Sequence, residues 1–238
     1  MKKFSMLIKN ILRHFGIDIV RAHPFYETVI YPLRIKTILD IGANTGTYAK
    51  EIRLNFPDAA IHSFEPLPDC FEKLQNTMFG DTLFTAHNVA LGDTNGETII
   101  ERSSFHPSSS LLPMADLHKK LYPKSANIHK EKIQVRTLDS FARTLSIIGP
   151  TLVKIDVQGF EDKVIEGGKE TIAQASIVIC EASFVSLYEK QPLFNTIYSA
   201  LRELGFVYYG SVTRHYSKRT NTLIYEDAIF IKPDLIRA

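Results

Sequence analysis

The sequence predicts an α/β fold, a mainly parallel sheet with helices on both faces. Three observations carry that prediction. Short apolar runs recur at residues 38–41, 60–64, 82–86, 152–155 and 176–180, with helix-forming stretches between several of them. Four of the runs end on or near an acid: Asp40, Glu65, Asp156 and Glu181. The first run passes directly into a glycine turn, Gly42-Ala43-Asn44-Thr45-Gly46, with a helix predicted to begin at 45–47.

The stretch KTILDIGANTGTYA, residues 36–49, organises the rest. Ile38, Leu39 and Ile41 suit a strand buried on both faces. A core-only strand would avoid the charge at Asp40. Gly42 and Gly46 let backbone pass close to a ligand, and a helix start offers unpaired N–H groups. Strand, turn and helix together form a crevice for a small charged ligand. A dinucleotide site would carry G-x-G-x-x-G. Asp40 ahead of the turn suits an amino group and repels a pyrophosphate, which disfavours a nicotinamide oxidoreductase. The pattern D-x-G-x-x-x-G resembles the first motif of S-adenosylmethionine (SAM) methyltransferases. Asn44 and Thr45, inside the turn, are further candidates for holding the ligand.

The second strand, residues 60–64, ends at Glu65, 25 residues beyond Asp40. An acid at that tip can accept hydrogen bonds from two ribose hydroxyls, with Pro66 beside it. Residues 68–78 read as a helix with Pro68 at its start and Asp69 in its first turn. After a third strand at 82–86, the segment around Asn88 and Val89 turns toward the cofactor side. In the methyltransferases that the glycine-turn pattern resembles, such a segment lies beside the adenine, which makes Asn88 and the Val89 backbone candidates for its edge. A strand follows at 97–102.

Residues 103–131 break the alternation and read as one long loop, with Ser108, Ser109 and Ser110 in sequence and histidines at 106, 118 and 129. The histidines lack metal-ligand spacing. From Arg102 to Lys132 there are six basic and two acidic residues, a net charge of +4 that could steer an anionic acceptor. Residues 133–136 read as a strand and 138–145 as a helix. TLVKIDVQGFEDKVIEGG, residues 151–168, then repeats the logic of the first motif: a buried strand, Asp156 at its end, Gly159 in a turn, and a helix from 161. Glu181 stands at the tip of the next strand. The tail holds a helix at 192–204 and strands at 206–209 and 228–231. A polar segment with Arg214, His215, Lys218 and Arg219 joins the strands.

Composition sets the outer bounds. At 238 residues the chain can bury one α/β core. It is 45% hydrophobic and 23% charged, and its net charge of +2 does not by itself argue for nucleic acid. Cys70 and Cys180 lack metal spacing and suit a reducing, cytoplasmic setting. No apolar run approaches the roughly 18 residues of a membrane span. Residues 1–22 read as an amphipathic helix and a short extended piece, with Phe4, Leu7, Ile8, Ile11 and Phe15 on one face. Residues 1–34 form an N-terminal lid or extension in this reading, and residues 1–15 alternatively contact the inner face of a membrane. Residues 35–238 form the main domain. Oligomeric state is not legible.

Together these stretches resemble the FkbM family of SAM-dependent methyltransferases. The carrying residues are LDIGANTGTYA at 39–49, FEPLP at 64–68, NVALGD at 88–93, SSSLL at 108–112, VRTLDSF at 135–141 and KIDVQGFEDKVIEGG at 154–168, with Glu181. The resemblance spans residue 35 to the C-terminus. It implies a Rossmann-like, seven-stranded class I methyltransferase sheet with an antiparallel last strand. It also implies SAM as cofactor and methylation of a hydroxyl on a glycan or secondary metabolite, as in polysaccharide biosynthesis. Gln158 stands where the family often has Glu, so it is assigned no proton transfer. Asp156 is the first candidate for a base that takes the acceptor's proton, with Glu181 its partner and His106 a loop alternative. Asp156 and Glu181 could instead share a divalent metal. The competing class is a methyltransferase fold retained as a non-catalytic scaffold.

Overall fold

The computed structural model describes residues 30–236. The helical reading of residues 1–22, and with it the membrane contact, lies outside them. Ten strands and seven α-helices make a seven-stranded sheet and a separate three-stranded one.

The large sheet has the order β3-β2-β1-β7-β8-β10-β9. Its strands are β1 (Thr37–Ile41), β2 (Ala60–Phe64), β3 (Phe84–His87), β7 (Thr151–Ile155), β8 (Ile177–Ser183), β9 (Val207–Tyr216) and β10 (Leu223–Ile231). β10 runs antiparallel to both neighbours, and every other pairing is parallel. The chain winds outward from β1 to β3, then returns to β7 beside β1. That reversal opens a crevice at the carboxyl ends of β1 and β7. The register levels these ends, with Ile41 opposite both Phe64 and Ile155.

Side-chain alternation divides the core between two faces. Leu39, Ile41, Val153 and Ile155 face one layer, where Val164 of α5 (Glu161–Gly167) and Ile197 and Leu201 of α7 (Phe194–Glu203) meet them. Ile38, Leu152, Ile177 and Ile179 face the other, with Ala49 and Ile52 of α1 (Thr47–Asn55). Ile30 packs in this second layer. Asp40 and Lys154 share its parity and lie opposite one another in the register, and Ser63 flanks Asp40 on β2. A buried polar row therefore crosses three strands just below the glycine turn.

The smaller sheet, order β4-β6-β5, was not expected from the sequence. It joins β4 (Ala90–Gly92), β5 (Gly96–Ser103) and β6 (Ile128–Thr137), so β6 starts five residues before the expected strand. The expected long loop is largely ordered structure. It holds α3 (Asp116–Leu121) and two short 3-10 turns, and Ser110 pairs through its backbone with Glu101. The remaining helices are α2 (Pro68–Thr77), α4 (Leu138–Ala142) and α6 (Lys169–Ala173). The terminal hairpin is also longer than expected, because β9 takes in Arg214 and His215. β8 continues past Glu181 because β10 carries its ladder on to Ser183. Glu181 thus sits within a strand rather than at its tip.

Candidate active site

A cavity of about 310 Å³ opens at the switch point, within the range of small-molecule sites. Gly42 and Asn44 follow β1 in its wall, Glu65 and Pro66 follow β2, and Asp156 follows β7. Val89 and His106 line it as well, and Glu181 reaches it from β8. Asp40, Thr45, Gly46 and Asn88 are not in the wall. They shape it from behind. Asp40 accepts a hydrogen bond from Ser63 Oγ at 2.9 Å inside the polar row. The Thr45 carbonyl accepts from Thr77 Oγ1, and Gly46 caps α1 at φ +86°. Asn88 Nδ2 donates to the carbonyls of Glu65 and Pro66, both at 2.9 Å, so this amide ties two loops together rather than facing the cavity.

The first turn is tight. The amides of Gly42 and Ala43 both donate to the Phe64 carbonyl at 3.0 Å. The turn therefore supplies room for a ligand more than free N–H groups. Glu65 is clamped across it, with Oε2 accepting from the Asn44 amide at 2.9 Å and Oε1 from the Leu67 amide at 2.8 Å. Burial pushes its carboxyl up to about 7, against the pull of those two amides. Burial likewise raises Asp40 to about 6, with Ser63 and Lys154 opposing it.

At the other end two acids meet. Gln158 Nε2 donates to Asp156 Oδ1 and to Glu181 Oε1, each at 2.9 Å. Gln158 has φ +57°, a conformation few L residues adopt, and its surroundings fix it there. Ser110 Oγ donates to its carbonyl at 2.5 Å, and the Tyr188 hydroxyl lies 3.1 Å from its Oε1. Glu161 Oε1 accepts from the Val157 and Gly159 amides on either side. Lys154 Nζ lies 3.1 Å from Asp156 and 3.3 Å from Asp227. Burial alone would lower its pKa, but those acids hold it well above the ordinary value. Glu181 is raised well above the carboxylate range, by burial first and then by Asp156.

His106 stands apart from this pair. Its Nε2 lies 3.7 Å from Asp69 Oδ2. Asp69, Cys70 and His106 gather ligand-type atoms within 4.8 Å of one another. Arg102 already holds Asp69 at 2.6 Å, and burial pushes the Cys70 thiol up to about 12, so the set suits a cation poorly. Sequence reasoning missed Lys154, Glu161, Tyr188 and Ser110 as parts of the site. Two of them carried a signal: a lysine inside an apolar strand and a glutamate just past a glycine turn.

The profile describing the methyltransferase FkbM domain matches residues 40–208. The chain belongs to the FkbM methyltransferase family. The 2-O-methyltransferase NoeI of Sinorhizobium fredii is 31% identical over 170 residues, covering 65% of this chain and 66% of NoeI. Methyltransferase 1 of Beauveria bassiana is 25% identical over 142 residues, covering 55% of this chain and 57% of that protein. The chain thus spans between 57% and 66% of the length of the curated relatives it matches. The fibrillarin pre-rRNA processing protein of Methanococcus jannaschii superposes with a TM-score of 0.46 at 10% identity, over 84% of this chain and 67% of that one.

SAM is the cofactor that FkbM membership brings, and the residues fit it. Each Glu65 oxygen keeps a lone pair beyond its backbone partner, which suits a ribose diol. Pro66, Leu67, Val89 and Ile100 give apolar surface for a base. Asp156 and Glu181 provide the acidic end that a sulfonium favours. No helix among the described residues is long and apolar enough to cross a membrane.

Proposed function

We propose that this FkbM-family chain is a SAM-dependent O-methyltransferase acting on a hydroxyl of a sugar or related polyhydroxylated acceptor. The observation that carries the reading is the single cavity joining Glu65 at one end to the Gln158-bridged acids Asp156 and Glu181 at the other. The 2-O-methyltransferase relative supports a hydroxyl as the target.

When bound, SAM supplies a methyl group activated by its sulfonium. Everything else falls to the chain. Glu65 seats the ribose. The Ser108–Ser110 segment closes the cavity against water. Asp156 accepts the acceptor's hydroxyl as a hydrogen bond and takes its proton late in the transfer. Glu181 holds its own proton strongly, which leaves Asp156, facing the Lys154 ammonium, as the acceptor of the two. Holding the two reactants in line can supply up to ~7–11 kcal/mol of the barrier reduction. The Gln158 amide stands between the two acids where a shared cation would have to bind, which favours proton transfer over metal assistance.

An anionic portion of the acceptor would have to lie outside the cavity. Arg102, Lys119 and Lys132 are ion-paired with Asp69 and Glu131, Asp116, and Glu97 respectively. Lys120, Lys124 and Lys130 are unpaired among the described residues and would be its contacts.

Calorimetric titration with SAM, S-adenosylhomocysteine (SAH) and NAD tests the cofactor. We expect micromolar binding of the two adenosyl sulfur ligands, none of NAD, and at least tenfold loss in Glu65→Ala. Radiolabelled methyl transferred to a glycoside and stable to mild alkali would identify an ether. A folded protein that binds no adenosyl ligand would return the chain to the scaffold reading.

A further inference from the structure

His118 belongs to none of the motifs and has no role in the chemistry above. It lies on α3, inside the segment expected to be a loop, and it lines the cavity. Its side chain is 2% exposed, and neither ring nitrogen has a hydrogen-bond partner among the described residues. Its neighbours are rings: Tyr122 at 5.1 Å and Tyr188 at 5.0 Å between centroids, both edge-on. A buried polar group without a partner is costly to a fold. A fold keeps such a group most readily where a ligand supplies the missing partner.

We infer that His118 reads the acceptor by hydrogen-bonding an uncharged hydroxyl other than the one that is methylated. This rests on the methyltransferase reading of the cavity. Burial among the tyrosines lowers the ring's pKa to about 4, so at neutral pH it is an uncharged imidazole. That form offers one N–H donor and one bare nitrogen acceptor. An alcohol can satisfy either. A phosphate or carboxylate could use only the donor. An ammonium could use only the acceptor.

The geometry links this position to the reacting end. The Tyr188 hydroxyl lies 3.1 Å from Gln158 Oε1, and Gln158 in turn holds Asp156. The Tyr188 ring also meets His118 edge-on. One hydroxyl at Asp156 and a second at His118 would be read by a continuous set of contacts through Tyr188 and Gln158. The acceptor then presents at least two hydroxyls, with the one at His118 on an uncharged part of the molecule.

The test uses the full chain labelled with 15N at histidine, with and without saturating SAH, and a panel of methyl pyranosides of common hexoses and pentoses. We expect at least one glycoside to shift the His118 ring nitrogens. We expect His118→Phe to weaken that glycoside at least tenfold and His118→Gln to restore part of the loss. SAH affinity should stay within about twofold in both variants. Ring nitrogens unmoved at saturating glycoside would overturn the inference without any variant. So would equal glycoside affinity in a folded His118→Phe protein, or no glycoside binding by a wild type that binds SAH. Glycoside binding that shifts His118 in a protein binding no adenosyl ligand would keep this inference and overturn the cofactor reading.

Discussion

Gly42 passes so close to Asp156 that a Cβ on the glycine would lie 1.9 Å from the Asp156 carbonyl oxygen. The two loops that end β1 and β7 are therefore fitted to each other through a missing side chain. Gly42 also has φ +86°. Gly42→Ala must strain the backbone and push the Asp156 loop away. We expect a loss of about 3 kcal/mol or more in urea unfolding, at the upper end of single-substitution effects. SAH binding should be lost with it. A Gly42→Ala protein as stable as wild type would show that the loops do not meet this closely.

Gln158 separates into two functions by substitution. Gln158→Ala removes the N–H shared by Asp156 and Glu181 and leaves the buried Glu181 facing the half-buried Asp156. Turnover should fall at least tenfold, a scale usual for a lost group that orients a catalytic acid or base. SAH affinity should change less than about threefold, because Glu65 and the glycine turn are untouched. Steady-state rates and calorimetry on the same preparation check this. Equal losses in both would mean that Gln158 supports the whole cavity rather than its acidic end.

Three buried carboxyls, together with Glu181, give the protein a specific pH dependence. Burial lifts Asp40 to about 6 and Glu65 and Glu161 to about 7. All three shifts are upward, so between about pH 4 and pH 7 the native state keeps protons that the unfolded chain has released. Their contribution to stability is fully present below about pH 4 and is lost as pH rises through 6 to 7. A shift of two units is worth about 3 kcal/mol for one group. Without ligand, the protein should melt higher at about pH 5.5 than at about pH 8. Asp40→Asn should flatten that difference, since its amide has nothing to titrate. A melting temperature that rises with pH over this range would contradict the assignment.

The parts of this fold that show in the sequence are those whose physics leaves one choice. β1, β2 and β7 are buried on both faces or nearly so, and apolar residues fill most of their positions outside the row of Asp40, Ser63 and Lys154. The turn at Gly42 needs a residue without a Cβ. Two strands of the small sheet showed, β5 as 97–102 and the second half of β6 as 133–136; β4, only three residues long, did not, nor did the joining of the three into a sheet of their own. Asp40 was legible as an exceptional charge, but its direction was not: one step along a strand reverses the face, and Asp40 shares the face of Ile38. Glu65 and Asp156 lie one residue past their strands, where the chain turns into the cavity. Nothing local distinguishes His118 from its neighbours in a polar segment. Only the closing of that segment over the sheet gives it a place.

Lys154 is the counter-charge for this end of the molecule. It is 6% exposed in the middle strand of the sheet, with Asp156 and Asp227 within 3.3 Å, and it opposes the burial of Asp40. Lys154→Met keeps most of the side-chain volume and removes the charge. It should cost about 1–3 kcal/mol, less than the loss of a fully buried partner, because Asp156 and Asp227 keep some exposure to water. Asp227→Asn in the same chain should recover part of that loss, because one of the stranded acids is then neutral. The double variant should therefore be more stable than the sum of the single changes predicts, by about 1 kcal/mol or more for residues in direct contact. Urea unfolding of the four proteins measures the coupling. Strict additivity would mean that Lys154 and Asp227 do not interact in solution, and the acidic end of the cavity would then need another source of positive charge.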